Sequence, residues 1–157
     1  MNEWKTLLNF AFSENCGNKY AVDRKLIQNI RSPLGSSVLH YAVLGQNAEA
    51  LHSLLQQTDQ ISISNDLNET PLHWACRLGD SFIVSLLLIH GADVDYPDLE
   101  NNTPMHWAAE EGHENVLRIL KKAGADPNFR NNENQTPKEL LEMNLKCSNM
   151  FRNRLPF

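Results

Sequence analysis

Six histidines, three cysteines and a pair of adjacent glutamates are the residues of this 157-residue chain whose types could do chemistry. His40, His73 and His106 recur at steps of 33, and histidine is both a common metal ligand and a general base near neutral pH. Their regular spacing argues against a shared metal. One position repeated along a stack of helices puts the rings roughly 10 Å apart, whereas zinc ligands lie ~2 Å from the ion. His52, His90 and His113 fall singly on helix faces expected to be exposed. Glu110 and Glu111 are neighbouring carboxylates, but consecutive helix positions point about 100° apart and cannot easily flank one bond. Cys16, Cys76 and Cys147 form no C-x-x-C pair, which argues against a disulfide framework or a zinc knuckle and leaves small buried hydrophobes or idle thiols. None of G-x-x-x-x-G-K-[ST], G-x-G-x-x-G, G-x-S-x-G or H-E-x-x-H occurs. These residues predict no catalytic site, no cofactor and no metal, so the chain is not expected to be an enzyme.

The elements that would position the histidines follow from the same period. Ser37-Val38-Leu39-His40-Tyr41-Ala42 recurs as Thr70-Pro71-Leu72-His73-Trp74-Ala75 and again as Thr103-Pro104-Met105-His106-Trp107-Ala108, and its opening returns as Thr136-Pro137. Gly79 and Gly112 keep the step, as do Gly91-Ala92-Asp93 and Gly124-Ala125-Asp126. Each type has a physical reason. Threonine caps a helix, proline at the first helical position forgoes an N–H that has no partner anyway, and glycine ends the helix in a left-handed conformation. A second helix is expected over 82–90 and 115–123, with Val84, Leu87 and Leu88, or Val116, Leu117 and Leu120, on one face. Segments 95–102 and 128–135, rich in Asp and Asn, then turn the chain into the next unit.

This pattern resembles the ankyrin repeat, whose T-P-L-H-x-A signature recurs every 33 residues. The resemblance implies an all-α solenoid of stacked helix-turn-helix units with projecting β-hairpin-like loops and helical caps. The whole chain, 1–157, is read as one such domain: a helical cap at 1–31, a degenerate repeat at 35–64, repeats at 68–97 and 101–130, and a capping repeat at 134–157. In the degenerate unit Ser37-Val38 replaces Thr-Pro, Gly45 comes one position early and Thr58 replaces a glycine. In the last unit Glu139 stands where the signature histidine would be. Within the family that histidine hydrogen-bonds the neighbouring loop backbone, which is the role implied for His40, His73 and His106. The cap at 1–31 is read from apolar residues at helical spacing, Trp4, Leu7, Leu8, Ala11 and Phe12, then Ala21, Leu26, Ile27 and Ile30.

Ankyrin repeats meet partners through loop tips and the exposed side of the first helix. Carried over position by position, the resemblance points to Asp66, Leu67, Glu69, Arg77 and Leu78, then Leu99, Glu100, Asn102, Glu110 and Glu111, with Glu133 on the last loop. Trp74 and Trp107, one repeat apart and one after Tyr41, either pack between first helices or present part of each ring to a partner. Ile63, Tyr96 and Phe129 form a third column near the loop bases, where large apolar groups either cover their own hairpin or await a ligand.

Charge narrows the partner. Between residues 49 and 114 the chain carries twelve acids and one base, Arg77, a net of −11 within an overall −5. Such a stretch repels phosphate backbones and favours a basic, partly apolar protein surface. The expected function is therefore a monomeric protein-interaction module, with no nucleic-acid or membrane partner. Alternatives are a recognition or regulatory segment of a larger enzyme or channel, or a secreted bacterial effector acting on host proteins. The effector reading draws on asparagine, 18 of 157 residues, which points to an AT-rich genome. The N-terminus lacks signal-peptide features and the longest apolar run is far short of a span, so a cytoplasmic location is expected, with the nucleus or a host cytosol as variants. An animal asparaginyl hydroxylase acts on ankyrin loops and favours an Asn eight residues after a Leu. Asn128 follows Leu120 by eight and is the candidate here.

Overall fold

In the computed structural model the described residues are 30–152, with side chains through 146. The expected cap at 1–31 and Cys16 therefore lie outside them, save residues 30 and 31, as do the side chain of Cys147 and residues 153–157.

Among the described residues seven helices form three pairs and a last single helix: α1 (Val38–Leu44) and α2 (Ala48–Leu55), α3 (Pro71–Leu78) and α4 (Ser81–Ile89), α5 (Pro104–Glu110) and α6 (Glu114–Lys122), then α7 (Pro137–Arg152). First helices pack in one row, α1 on α3 on α5 on α7, and second helices in another, α2 on α4 on α6. The chain thus forms the expected all-α solenoid, and among the described residues there is no strand, only an isolated bridge between Arg31 and Ser37.

One apolar seam runs between the rows. It holds Leu39, Leu51, Leu54, Leu72, Ile83, Val84, Leu87, Val116 and Leu120, with small Ala42, Ala75 and Ala108 letting the first helices approach closely. Burying a leucine of this kind is worth about 1.5–3 kcal/mol. Cys76 is buried in the seam, where loss of solvation raises its thiol pKa well above the usual range. It is an inert hydrophobe.

Helix α3 ends as its glycine predicts, with Gly79 at φ 72°. The degenerate unit keeps this geometry without the glycine: Gly45 is right-handed, and Gln46, the true equivalent of Gly79, takes φ 51°. The early glycine is therefore not the helix-ending residue, and Gln46 bears the strain that a Cβ brings to this region.

Candidate functional site

Each histidine of the column holds its unit to the next. The backbone N–H of Ser37, Thr70 and Thr103 donates to Nδ1 of His40, His73 and His106 at 3.1, 3.0 and 3.1 Å. A backbone N–H can only donate, so Nδ1 is unprotonated and Nε2 carries the hydrogen. That Nε2–H donates to the carbonyls of Glu69, Asn102 and Gln135 at 2.9, 3.1 and 3.1 Å, each in the following loop. These are the loop-backbone bonds that the family resemblance implies. Loss of solvation on burial lowers the pKa of all three, and His40 falls from 6.5 to about 4. In the last unit Glu139 takes over half of this role. Its Oε2 accepts from Thr136 N at 2.7 Å and from the Thr136 hydroxyl at 3.1 Å, which closes a capping box and lowers its pKa. A carboxylate has no N–H to pass on to a further loop.

The other histidines are less isolated than their sequence positions predict. His52 and His90 meet edge to face with centroids 5.6 Å apart, and His113 Nε2 donates to the Arg77 carbonyl at 3.0 Å.

Four loops share one shape, at residues 32–36, 65–69, 98–102 and 131–135, and the histidines fix the last three of them. The side-chain oxygen of the first residue (Ser32, Asn65, Asp98 or Asn131) accepts from the N–H groups two and four positions on. The fourth residue is left-handed: Gly35, Asn68, Asn101 and Asn134, with φ between 59° and 73°. Neighbouring loops are tied together at their tips. Asp66 N donates to Leu34 O, Leu99 N to Leu67 O and Asn132 N to Glu100 O, at 3.3, 3.1 and 3.0 Å. The loops thus form a continuous ridge. The capping-oxygen column and the left-handed Asn column carry no signature residue, and the 33-residue step is the sequence signal that marks them.

The structure divides the expected partner-binding residues into three groups. Asp66, Leu67, Leu99, Glu100 and Glu133 stand at the ridge crest in solvent. Leu34 joins them from the first loop, so three leucines expose 69%, 51% and 57% of their surface among acids. Arg77, Leu78, Glu110 and Glu111 are exposed at the C-terminal ends of α3 and α5, beside Leu44 of α1. Leu34 and Leu44 carry no signature, and only their place in the columns 34–67–100 and 44–77–110 marks them.

Residues in the third group also build the scaffold. Glu69 Oε2 accepts from Trp74 Nε1 at 2.9 Å and from Asn65 Nδ2 at 2.7 Å, while Asn102 Oδ1 accepts from Asn131 Nδ2 at 2.8 Å. Trp107 Nε1 donates to Asp98 Oδ2 at 2.9 Å. Both indoles are half-buried. Trp74 packs edge-on against His40 and Tyr41, and Trp107 against His73. Tyr96 and Phe129 are half-buried at the loop bases, the first 3.5 Å from the Ser64 hydroxyl and the second edge-on to His106. Asn128 is exposed, with its N–H donated to Asp126 Oδ1.

A small cleft of about 220 Å³ opens between α3 and α5, lined by Arg77, Trp107, Glu110 and Glu111. On the far side α4 leaves Phe82 and Ile89 in solvent, because Ser81–Ile89 carries no charged residue to mark an outer face. Among the described residues no three His, Cys, Asp or Glu side chains cluster to hold a metal ion, and no helix is long and apolar enough to cross a membrane.

A repeated helix pair tied to the next loop by a Thr–His bracket defines a repeat solenoid of the ankyrin type. The family model for ankyrin repeats (three copies) matches residues 39–131, and the chain belongs to that family. Palmitoyltransferase AKR1 of Lachancea kluyveri is 37% identical over 65 residues, covering 41% of this chain and 9% of that protein. Palmitoyltransferase ZDHHC13 of Mus musculus is 43% identical over 58 residues, 36% of this chain and 9% of that protein. The nuclear factor NF-kappa-B p105 subunit of Rattus norvegicus is 35% identical over 98 residues, 59% and 10%. The matches thus span about a tenth of the length of these relatives. Ankyrin repeats are protein-interaction modules and are generally non-catalytic, and the likeness to palmitoyltransferases lies in their ankyrin regions.

Proposed function

We propose that this chain recognises a basic, partly apolar segment of another protein along the loop ridge and the adjoining ends of the first helices. The carrying observation is the ridge crest, where Leu34, Leu67 and Leu99 are held in solvent by inter-loop hydrogen bonds and flanked by Asp66, Glu100 and Glu133. A rigid apolar row gives residence time at low entropic cost, and the flanking acids steer a cation-rich partner toward it. Half-buried Trp74, Trp107, Tyr96 and Phe129 border this surface, where Ala substitution of an anchoring ring would shorten residence.

The experiment uses affinity capture from the native cell, followed by binding kinetics of the purified partner. The native chain is compared with an Asp66→Lys, Glu100→Lys, Glu133→Lys variant, which spares Glu69 and its bond to Trp74. Association should slow as salt rises and slow further in the variant, with dissociation changed less. Association independent of both salt and the reversals would overturn the reading.

The palmitoyltransferase relatives favour a second reading, in which this module is the recognition segment of a larger enzyme. The mass of the native protein on an immunoblot tests it. A native mass equal to that of these 157 residues would remove it.

A further inference from the structure

We infer that the cleft between α3 and α5 is a receptor for a partner's arginine side chain, and that Arg77 is its built-in stand-in. This rests on the proposed binding of a basic partner and assigns that partner a contact. The guanidinium of Arg77 already sits over the Trp107 ring at 5.4 Å from the centroid, with its Nε 3.6 Å from Glu111 Oε1. The cleft therefore displays the chemistry it accepts: an aromatic face for the flat cation and a carboxylate for its N–H edge.

The walls are held firmly and the occupant is not. Trp107 is fixed by its indole bond to Asp98 and its edge contact with His73. The Arg77 and Glu111 side chains remain 64% and 45% exposed, and an ion pair so exposed is easily displaced. Glu110 lines the same cleft, and its carboxylate makes no ion pair among the described residues. Two carboxylates against one guanidinium leave the site one negative charge over balance.

The repeat shows that this chemistry is specific to one place. At the position of Arg77 the other units carry Leu44, Glu110 and Met143, and at that of Glu111 they carry Gly45, Leu78 and Asn144. Around Trp74 in the preceding unit, Leu44 and Leu78 thus stand at the positions of Arg77 and Glu111, and Arg77 itself stands at that of Glu110, so none of the three positions carries an acid. Among the described residues only the α3–α5 step combines an indole, two acids and a resident cation.

The test uses acetyl-arginine-amide as probe and follows the Trp74 and Trp107 indole Nε1–H signals by nuclear magnetic resonance. In the native chain the probe competes with Arg77. In Arg77→Ala it should bind roughly two- to fivefold tighter, the factor by which an exposed ion pair competes, and should shift the Trp107 signal selectively. Arg77→Gln, which preserves side-chain length, should behave alike and guards against fraying of α3. Arg118→Ala, which removes an equal charge from the exposed side of α6, should change nothing. The neutral citrulline analogue should not bind, and adding Trp107→Leu to Arg77→Ala should abolish the gain. Equal affinity in native chain and Arg77 variants, or shifts at Trp74 as large as at Trp107, would overturn the inference. The probe reports on the cleft alone and the loop reversals on the ridge alone, so failure of one reading is distinguishable from failure of the other.

Discussion

Acidifying the solution from about pH 7.5 to about 4.5 should unfasten the histidine brackets, and His40 sets the scale. Its ring is buried, its Nδ1 faces N–H and hydroxyl donors of Ser37, and its Nε2–H is spent on Glu69 O. Burial is the main cause of its low pKa, with the nearby Arg31 and His73 adding to it against the raising effect of Glu69. Protonating Nδ1 would also aim a new N–H at the Ser37 N–H. The folded pKa of about 4 lies below the 6.5 of the free side chain, so the unfolded chain takes up the proton first as pH falls. The stabilisation is therefore complete above 6.5 and is lost between there and about 4. At 1.36 kcal/mol per unit the difference amounts to about 3 kcal/mol, a large share of the ~5–15 kcal/mol that holds a typical domain. His73 and His106 act in the same direction, whereas Asp95, whose pKa burial raises, acts in the opposite one. The assay is urea unfolding across a pH series for the native chain and His40→Gln, which offers a donor and an acceptor but does not titrate. The native chain should lose up to about 3 kcal/mol more than the variant across that window. Should His40→Gln prove too unstable to fold, the ring-proton shifts of native His40 give the same answer directly. Parallel losses in the two chains, or a His40 ring that titrates near 6.5, would refute the reasoning.

Gly79→Ala should destabilise strongly, because an added Cβ at φ 72° would lie 2.6 Å from the His113 ring, whereas Gly91→Ala, at φ 91° in open space, should cost only the backbone strain of about 1–2 kcal/mol. Urea midpoints compare the two, and equal losses would show that the His113 contact is immaterial. Leu87→Ala should cost about 2–5 kcal/mol, since the side chain is fully buried between the rows, and a loss under 1 kcal/mol would mean that the seam repacks around it. Asn128 is exposed and lies eight residues after Leu120, so incubation with the animal asparaginyl hydroxylase should add one oxygen to its peptide by mass spectrometry; an unmodified peptide removes the assignment.

Spacing made the repeat units legible, and the ankyrin resemblance that the spacing carries implied much of the candidate surface. Capping, helix termination and the histidine bracket are local or strictly periodic, so a residue type at a 33-residue step reports the same backbone geometry each time. That is why Thr70 and Gly79 announce their roles from residue type alone, whereas the bracket of His73 and the crest positions of the loop acids, Leu67 and Leu99 follow from the family resemblance. Tertiary structure decided what breaks the period. Gln46 carries the left-handed turn because the stack imposes that geometry on the degenerate unit, whatever residue occupies the position. His52 and His90 meet because α2 and α4 pack side by side, although the two residues are 38 positions apart. The seating of Arg77 on Trp107 joins the last turn of one first helix to the middle of the next, a separation of 30 that no column contains. A sequence period records what each unit repeats; a contact between unlike positions of neighbouring units exists only once the helices are stacked.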